Sequence, residues 1–267
     1  MGFPLLKWAS LYRASLYRVK YSPDKCGPGR ALRSYGKRYQ RMKTAVRTAL
    51  AGLCLIGAGL ALCLIGAGTM GGVTARAADR PINIVAFGDS LTAGLGLAAN
   101  ETFPAQLQRA LAAKGVAVSI ANAGVSGDTA AGGLSRLDWS VPDGTDAVIL
   151  ELGANDALRG FDPAVTRKAL YTILHRFMER KIPVLLCGML APPNLGKEYG
   201  RTFNAIYPDL AAETGAILYP FFLTGVAADP RLNQRDGLHP TAAGVAVIVA
   251  GIMPQVEELI VRAKGSQ

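Results

Sequence analysis

The chain has 267 residues and a formal net charge of +10, with 29 Lys and Arg against 19 Asp and Glu. The excess is local: residues 1–47 hold 12 basic residues and one acid, while residues 78–267 hold 16 basic residues against 18 acids. The body is therefore close to neutral, which removes the electrostatic case for nucleic-acid binding that the whole-chain charge suggests.

Residues 1–41 form a basic extension with a short repeat, Ser10-Leu11-Tyr12-Arg13 and Ser15-Leu16-Tyr17-Arg18, and no periodic apolar face. Met42-Lys43 is an ordinary opening for a signal peptide, so 1–41 is expected to be a mis-assigned start, the alternative being a cytoplasmic basic tail. Residues 48–75 carry no charge, follow Arg41, Lys43 and Arg47, and lead into Ala75-Arg76-Ala77. This pattern predicts a signal peptide over 42–77, cleaved between Ala77 and Ala78. The apolar run exceeds the usual length of about 7–15 residues, so an uncleaved membrane anchor is the competing reading. A periplasmic or secreted domain spanning 78–267 follows, large enough for one core. Cys187 is its only cysteine, which excludes an internal disulfide and suits a core position.

The body opens on Ile82-Asn83-Ile84-Val85-Ala86-Phe87, an apolar run that ends in Gly88-Asp89-Ser90-Leu91. Such a run, bounded by turn residues, predicts a strand covered on both faces. A helix is predicted from Phe103 to Lys114, and a second strand over 116–121. The segment Asn122-Ala123-Gly124-Val125-Ser126-Gly127-Asp128-Thr129 is read as a glycine-rich loop before another helix. A third strand over 147–150 leads into Glu151-Leu152-Gly153-Ala154-Asn155-Asp156. Asp162-Pro163 is a helix start, Asp as cap and Pro at the first position, with Val165, Ala169, Ile173 and Phe177 on its inner face. A fourth strand over 183–187, a loop at 192–196, a helix over 200–213, a fifth strand over 216–219 and a last helix over 241–264 complete the chain. Pro254 is expected to kink or split that last helix. Strands alternating with helices predict an α/β fold, a three-layer α/β/α sandwich on a mainly parallel five-stranded sheet.

The residues that carry chemistry fall in the loops after the strands. Ser90 follows a permissive glycine at a strand end and is a candidate nucleophile. The body has two histidines. His175 lies inside a helix and is read as structural. His239 lies in Asp236-Gly237-Leu238-His239-Pro240, where Asp236 can hold one ring nitrogen and leave the other to take a proton from serine. The Ser90 N–H, the Gly127 N–H and the Asn155 amide are candidate oxyanion donors. No Gly-x-Ser-x-Gly elbow occurs, no metal-ligand spacing appears, and no phosphate loop or dinucleotide fingerprint is present. No cofactor is expected.

Taken in order, Gly88-Asp89-Ser90-Leu91, Ser126-Gly127-Asp128, Gly153-x-Asn155-Asp156 and Asp236-x-x-His239 resemble the four blocks of the SGNH (GDSL) hydrolases, whose fold is flavodoxin-like. The bacterial periplasmic thioesterase, lysophospholipase and arylesterase branch is more similar still, through 122–129, 151–161 and Phe203-Asn204-Ala205-Ile206-Tyr207-Pro208. The resemblance spans about 82–260. It implies Ser90 as nucleophile, His239 as base, Asp236 as its orienter, and an oxyanion hole of Ser90, Gly127 and Asn155. Ala154 stands where the branch often has a second glycine, and Pro192-Pro193 occupy a loop that is mobile in the branch.

The implied activity is hydrolysis of carboxylic esters of lysophospholipids, short- to medium-chain acyl or aryl esters and acyl thioesters through an acyl-enzyme. Alternatives are a carbohydrate O-acetylesterase or acetyltransferase of the same class, or a non-catalytic membrane-anchored binding protein. The expected partner is a small-molecule substrate, with no nucleic acid, membrane contact only through an uncleaved leader, and a monomeric state.

Overall fold

The structure, a computed structural model, describes residues 80–265. The expected extension 1–41, and the expected signal peptide 42–77 with its cleavage point, lie outside the described residues. Five strands, β1 Ile82–Gly88, β2 Val118–Gly124, β3 Ala147–Glu151, β4 Val184–Cys187 and β5 Ile217–Tyr219, form one sheet in the order β2-β1-β3-β4-β5. Every pairing is parallel. The helices are α1 Ser90–Ala93, α2 Phe103–Ala113, α3 Ala130–Ser140, α4 Ala154–Leu158, α5 Pro163–Glu179, α6 Lys197–Thr214 and α7 Ala242–Gly265. α2 packs on β2 and on α7, and α7 also reaches β1, β3, β4 and β5; α3, α5 and α6 pack in succession, with α3 on β1 and α6 on β4 and β5. The result is a sheet between two helical layers, with the strand order of doubly wound folds whose ligand site lies beyond the carboxyl ends of the strands.

The apolar strands sit where burial demands them. All five residues of β3 and all four of β4 are buried, as is every residue of β1 except Asn83. β2 is an edge strand and is largely exposed or half-buried. It also begins later and runs further than the sequence suggests. Residues 122–124, read as loop because Asn and Gly favour turns, instead pair with 86–88 of β1.

Two helices differ from expectation. In α5, Asp162 caps Ala164 N–H at 2.9 Å as predicted, but Val165 is half exposed while Thr166, Leu170 and Leu174 join Ala169, Ile173 and Phe177 inside. The buried stripe lies one position further round the helix. α7 runs unbroken through Pro254. Pro254 and Ala250, whose carbonyl loses its partner, both face solvent, where that carbonyl is open to hydration.

Candidate active site

Gly88 ends β1 and lies opposite both Gly124 and Glu151 in register. Its lack of a side chain is required: a Cβ there would stand 2.1 Å from Thr92 Oγ1 and 2.5 Å from the Glu151 carbonyl oxygen. Asp89 then caps α1 by accepting the Leu91 N–H at 2.9 Å. This cap turns the chain sharply and leaves Ser90 at the start of the helix, with 8% of its surface open.

His239 meets Ser90 across 149 positions of sequence. The Ser90 Oγ to His239 Nε2 distance is 2.8 Å, and His239 Nδ1 lies 2.6 Å from Asp236 Oδ2. With the ring proton on Nδ1, facing the carboxylate, Nε2 accepts from the serine hydroxyl. Asp236 Oδ1 also accepts the Leu238 and His239 N–H groups at 2.9 and 3.0 Å. Partial burial pushes the Asp236 carboxyl up, but the Leu238 N–H and the His239 ring and N–H outweigh it. The carboxyl lies below its ordinary range and stays ionised.

Asn155 lies in α4, just beyond β3, and its Nδ2 donates to Asp89 Oδ2 at 3.1 Å. Ser90, Asn155 and His239 line one cavity of about 90 Å³, otherwise walled mainly by apolar side chains including Leu91, Met189, Leu190, Phe221, Leu223 and Leu238. Ala154 and Pro192 also line it. Gly127 lies outside that cavity, in the β2–α3 loop, with φ of +83° that favours glycine. Its carbonyl accepts from Arg159 Nη2 at 2.8 Å. Asp128 beside it is gripped by Arg136 Nε at 2.6 Å. Asp236 stands behind His239. A larger open groove of about 520 Å³ lies by the amino ends of β4 and β5 near Leu174, Lys181 and Arg262, remote from the loops that carry Ser90 and Asn155.

Several residues that shape the site were not singled out for it in the sequence. Glu151, fully buried at the end of β3, accepts the Thr92 hydroxyl at 2.7 Å and the Asp89 N–H at 3.3 Å. Arg136, 6% exposed, donates to the carbonyls of Gly88 and Ala123, both at 2.8 Å, and stacks over Phe87 at 4.3 Å. Asp156 accepts the Ala130 N–H and the Thr166 hydroxyl. The sequence carried one signal for Glu151, an acid closing an otherwise apolar strand. The Phe203–Pro208 block serves from below: Tyr207 donates to the Leu152 carbonyl at 2.9 Å, and Asn204 accepts the Ala191 N–H at 2.8 Å. His175 is half exposed on α5 beside Glu179, away from the chemistry. Cys187 is a buried free thiol. Among the described residues no three His, Cys, Asp or Glu side chains stand together to hold a metal ion.

Comparisons with known proteins give the family of the chain. Residues 86–247 match the GDSL-like lipase/acylhydrolase family. The chain is 37% identical over 189 residues to esterase TesA of Pseudomonas aeruginosa, covering 70% of this chain and 93% of the relative. It is 37% identical over 178 residues to thioesterase 1/protease 1/lysophospholipase L1 of Escherichia coli, covering 66% and 84%. The crystal structure of AlinE4, an SGNH-hydrolase family esterase, is 49% identical with a TM-score of 0.58, over 67% of this chain and 96% of that one.

Proposed function

The chain belongs to the GDSL-like lipase/acylhydrolase family and is a serine hydrolase of carboxylic ester and thioester bonds; from that premise we propose that Ser90 is its nucleophile, His239 its general base and Asp236 the orienting acid. The observation that carries this reading is the unbroken chain of short hydrogen bonds from Asp236 through His239 to Ser90. Ser90 Oγ attacks the substrate carbonyl while His239 Nε2 takes its proton. The oxyanion is received by the N–H groups of Ser90 and Gly127 and by the Asn155 amide. That amide has two hydrogens and gives one to Asp89, which leaves the other for the substrate. His239 returns its proton to the leaving alcohol or thiol, then activates the water that releases the carboxylic acid.

The substrates are short- to medium-chain acyl and aryl esters and lysophospholipids, with thioesters as a side activity. The cavity beside Ser90 is small, about 90 Å³, which favours short acyl chains. Its apolar walls disfavour a carbohydrate O-acetyl substrate. The site is periplasmic or secreted, the enzyme is a monomer that needs no cofactor, and its leader is removed between Ala77 and Ala78. The charge-free segment 48–75 and the Ala75-Arg76-Ala77 pattern support that location.

The test is hydrolysis of p-nitrophenyl esters from acetyl to palmitoyl, a lysophosphatidylcholine and an acyl thioester by the wild type and Ser90→Ala. The wild type is expected to favour the short esters, and the variant to lose kcat by about 10⁴-fold or more. Retained turnover in Ser90→Ala rejects the nucleophile. Faster release of acetate from acetylated polysaccharide than from any simple ester rejects the substrate class.

A further inference from the structure

Beneath the serine lies a second chemical unit that the reaction scheme does not use. Asp89 and Glu151 are both fully buried, and they leave neighbouring strand ends, because Gly88 and Glu151 are opposite in the β1–β3 register. Two carboxyl groups side by side in a dry site ordinarily call for a cation. Among the described residues no Lys, Arg or His hydrogen-bonds or ion-pairs with either. Arg136, the guanidinium on the neighbouring helix α3, spends itself on the carbonyls of Gly88 and Ala123, the Ser140 hydroxyl and Asp128. His239 spends both ring nitrogens on Ser90 and Asp236. The other titratable groups nearby bring no positive charge: Asp156 is bound to Ala130 and Thr166, Tyr207 to the Leu152 carbonyl, and Cys187 is a neutral thiol opposite Glu151 in the β3–β4 register.

The donors available to the pair are unevenly divided. Asp89 receives one on each oxygen, the Leu91 N–H at 2.9 Å and the Asn155 amide at 3.1 Å. Glu151 receives the Thr92 hydroxyl and the Asp89 N–H on Oε2 alone, and its buried Oε1 has no partner. A carboxylate with one bare oxygen in such a place is costly, and a neutral acid is less so.

We infer that Asp89 and Glu151 form a one-proton carboxyl pair, in which neutral Glu151 positions the nucleophile turn and ionised Asp89 aims the Asn155 amide. This rests on the reading of Ser90 as nucleophile. The electrostatics run the same way: burial, with the Asp89 charge beside it, pushes Glu151 well above the ordinary carboxyl range. Burial raises Asp89 only to about 6, because the Leu91 N–H and the Asn155 amide hydrogen-bond to its anion and the neighbouring Glu151 carboxyl favours that anion too. The protonation steps belong to the pair as a unit. Glu151 is a positioning residue, acting on the substrate only through the Asp89–Ser90 turn.

The experiment compares the full chain as wild type, Glu151→Ala and Glu151→Gln with p-nitrophenyl butyrate, from about pH 5 to 9. kcat is expressed per site labelled by a fluorophosphonate, and the infrared spectrum is recorded at neutral pH. Glu151→Ala is expected to lose kcat roughly tenfold or more at unchanged KM, and Glu151→Gln to restore it to within about threefold of wild type with the acid limb of the pH profile in place. The wild type shows a protonated-carboxyl C=O band that Glu151→Gln lacks. Three results each overturn the proposal: no such band, an acid limb displaced by about one unit or more in Glu151→Gln, or a Glu151→Ala enzyme that melts earlier yet keeps kcat per labelled site. If Glu151→Ala does not fold, the band and the Glu151→Gln profile decide alone. A wild type that neither turns over nor takes the label rejects the serine-hydrolase reading instead, so the two failures are distinct.

Discussion

The two halves of the site are built by different means. The serine half stands on the ends of β1 and β3, where register, a helix cap and fully buried side chains fix Gly88, Asp89 and Ser90 from several sides. The base half hangs from residues 220–241, between β5 and α7, a connection with no strand or helix of its own beyond an isolated bridge from Asn233 to Pro240. It is held by side-chain hooks. Asn233 Nδ2 donates to the carbonyls of Val226 and Asp229 at 2.7 and 2.9 Å, and Gln234 Nε2 donates to those of Leu95 and Pro240 at 2.7 and 3.0 Å. The Gln234 bond to Leu95 ties the base loop to the serine half directly. The lesson is that the serine is placed by the sheet, whereas the histidine is placed by a few amides that must each find a carbonyl.

Breaking the serine half has the largest expected effect. Arg136→Met removes the guanidinium that pairs with Asp128 and donates to the carbonyls of Gly88 and Ala123, and is expected to cost about 3–5 kcal/mol of stability. The urea midpoint reads the loss, and kcat falls with it because Asp128 borders Gly127. A variant of unchanged stability shows that this brace is dispensable.

The second test uses pH. Folded Asp89 keeps its proton up to about 6, whereas the unfolded chain releases it near the ordinary 3.8. Between those values the folded state binds more protons, so stability falls as pH rises through the window, by up to about 3 kcal/mol. Asp89→Asn removes this group, and the difference in urea midpoint between wild type and variant is expected to change across pH 4 to 6 and level off above about 6. Parallel profiles reject the assignment.

The smallest effect lies in the base half. Ala228 has φ of 66° in the connection that leads to His239, a conformation that costs an L-residue about 1–2 kcal/mol. Ala228→Gly is expected to stabilise by about 0.5–1 kcal/mol once the entropy of glycine is counted, with kcat unchanged. Destabilisation by that substitution shows that the turn is not strained.

What the sequence reveals about each half follows from the same difference. Ser90, Asn155, Asp236 and His239, which the structure brings together, stand out in the sequence because each sits in a short block of turn residues and the blocks occur in order; Gly127 stands out in the same way but lies outside the cavity. The sheet was legible from its apolar runs. Its edge was not: β2 pairs through 122–124, whose Asn and Gly look like loop until β1 is beside them. The Glu151–Thr92 and Arg136–Gly88 contacts join residues 59 and 48 positions apart, and no local pattern encodes them. Val165 and Pro254 show a third limit. Helical spacing gives a face to within about one position, and whether a proline interrupts a helix depends on which side meets water.

The order of the parts along the chain has a consequence in time. The serine turn is complete by residue 91, while His239 and the long closing helix α7, which covers four of the five strands, are made after every strand of the sheet. Pairing β1 with β3 already spans some sixty positions, and sheets assembled from such distant segments form late. A partly synthesised chain therefore holds a serine without its histidine and an uncovered sheet. With His239 as the proposed base, ester turnover begins only when that later stretch has docked, so the appearance of activity reports the completion of folding.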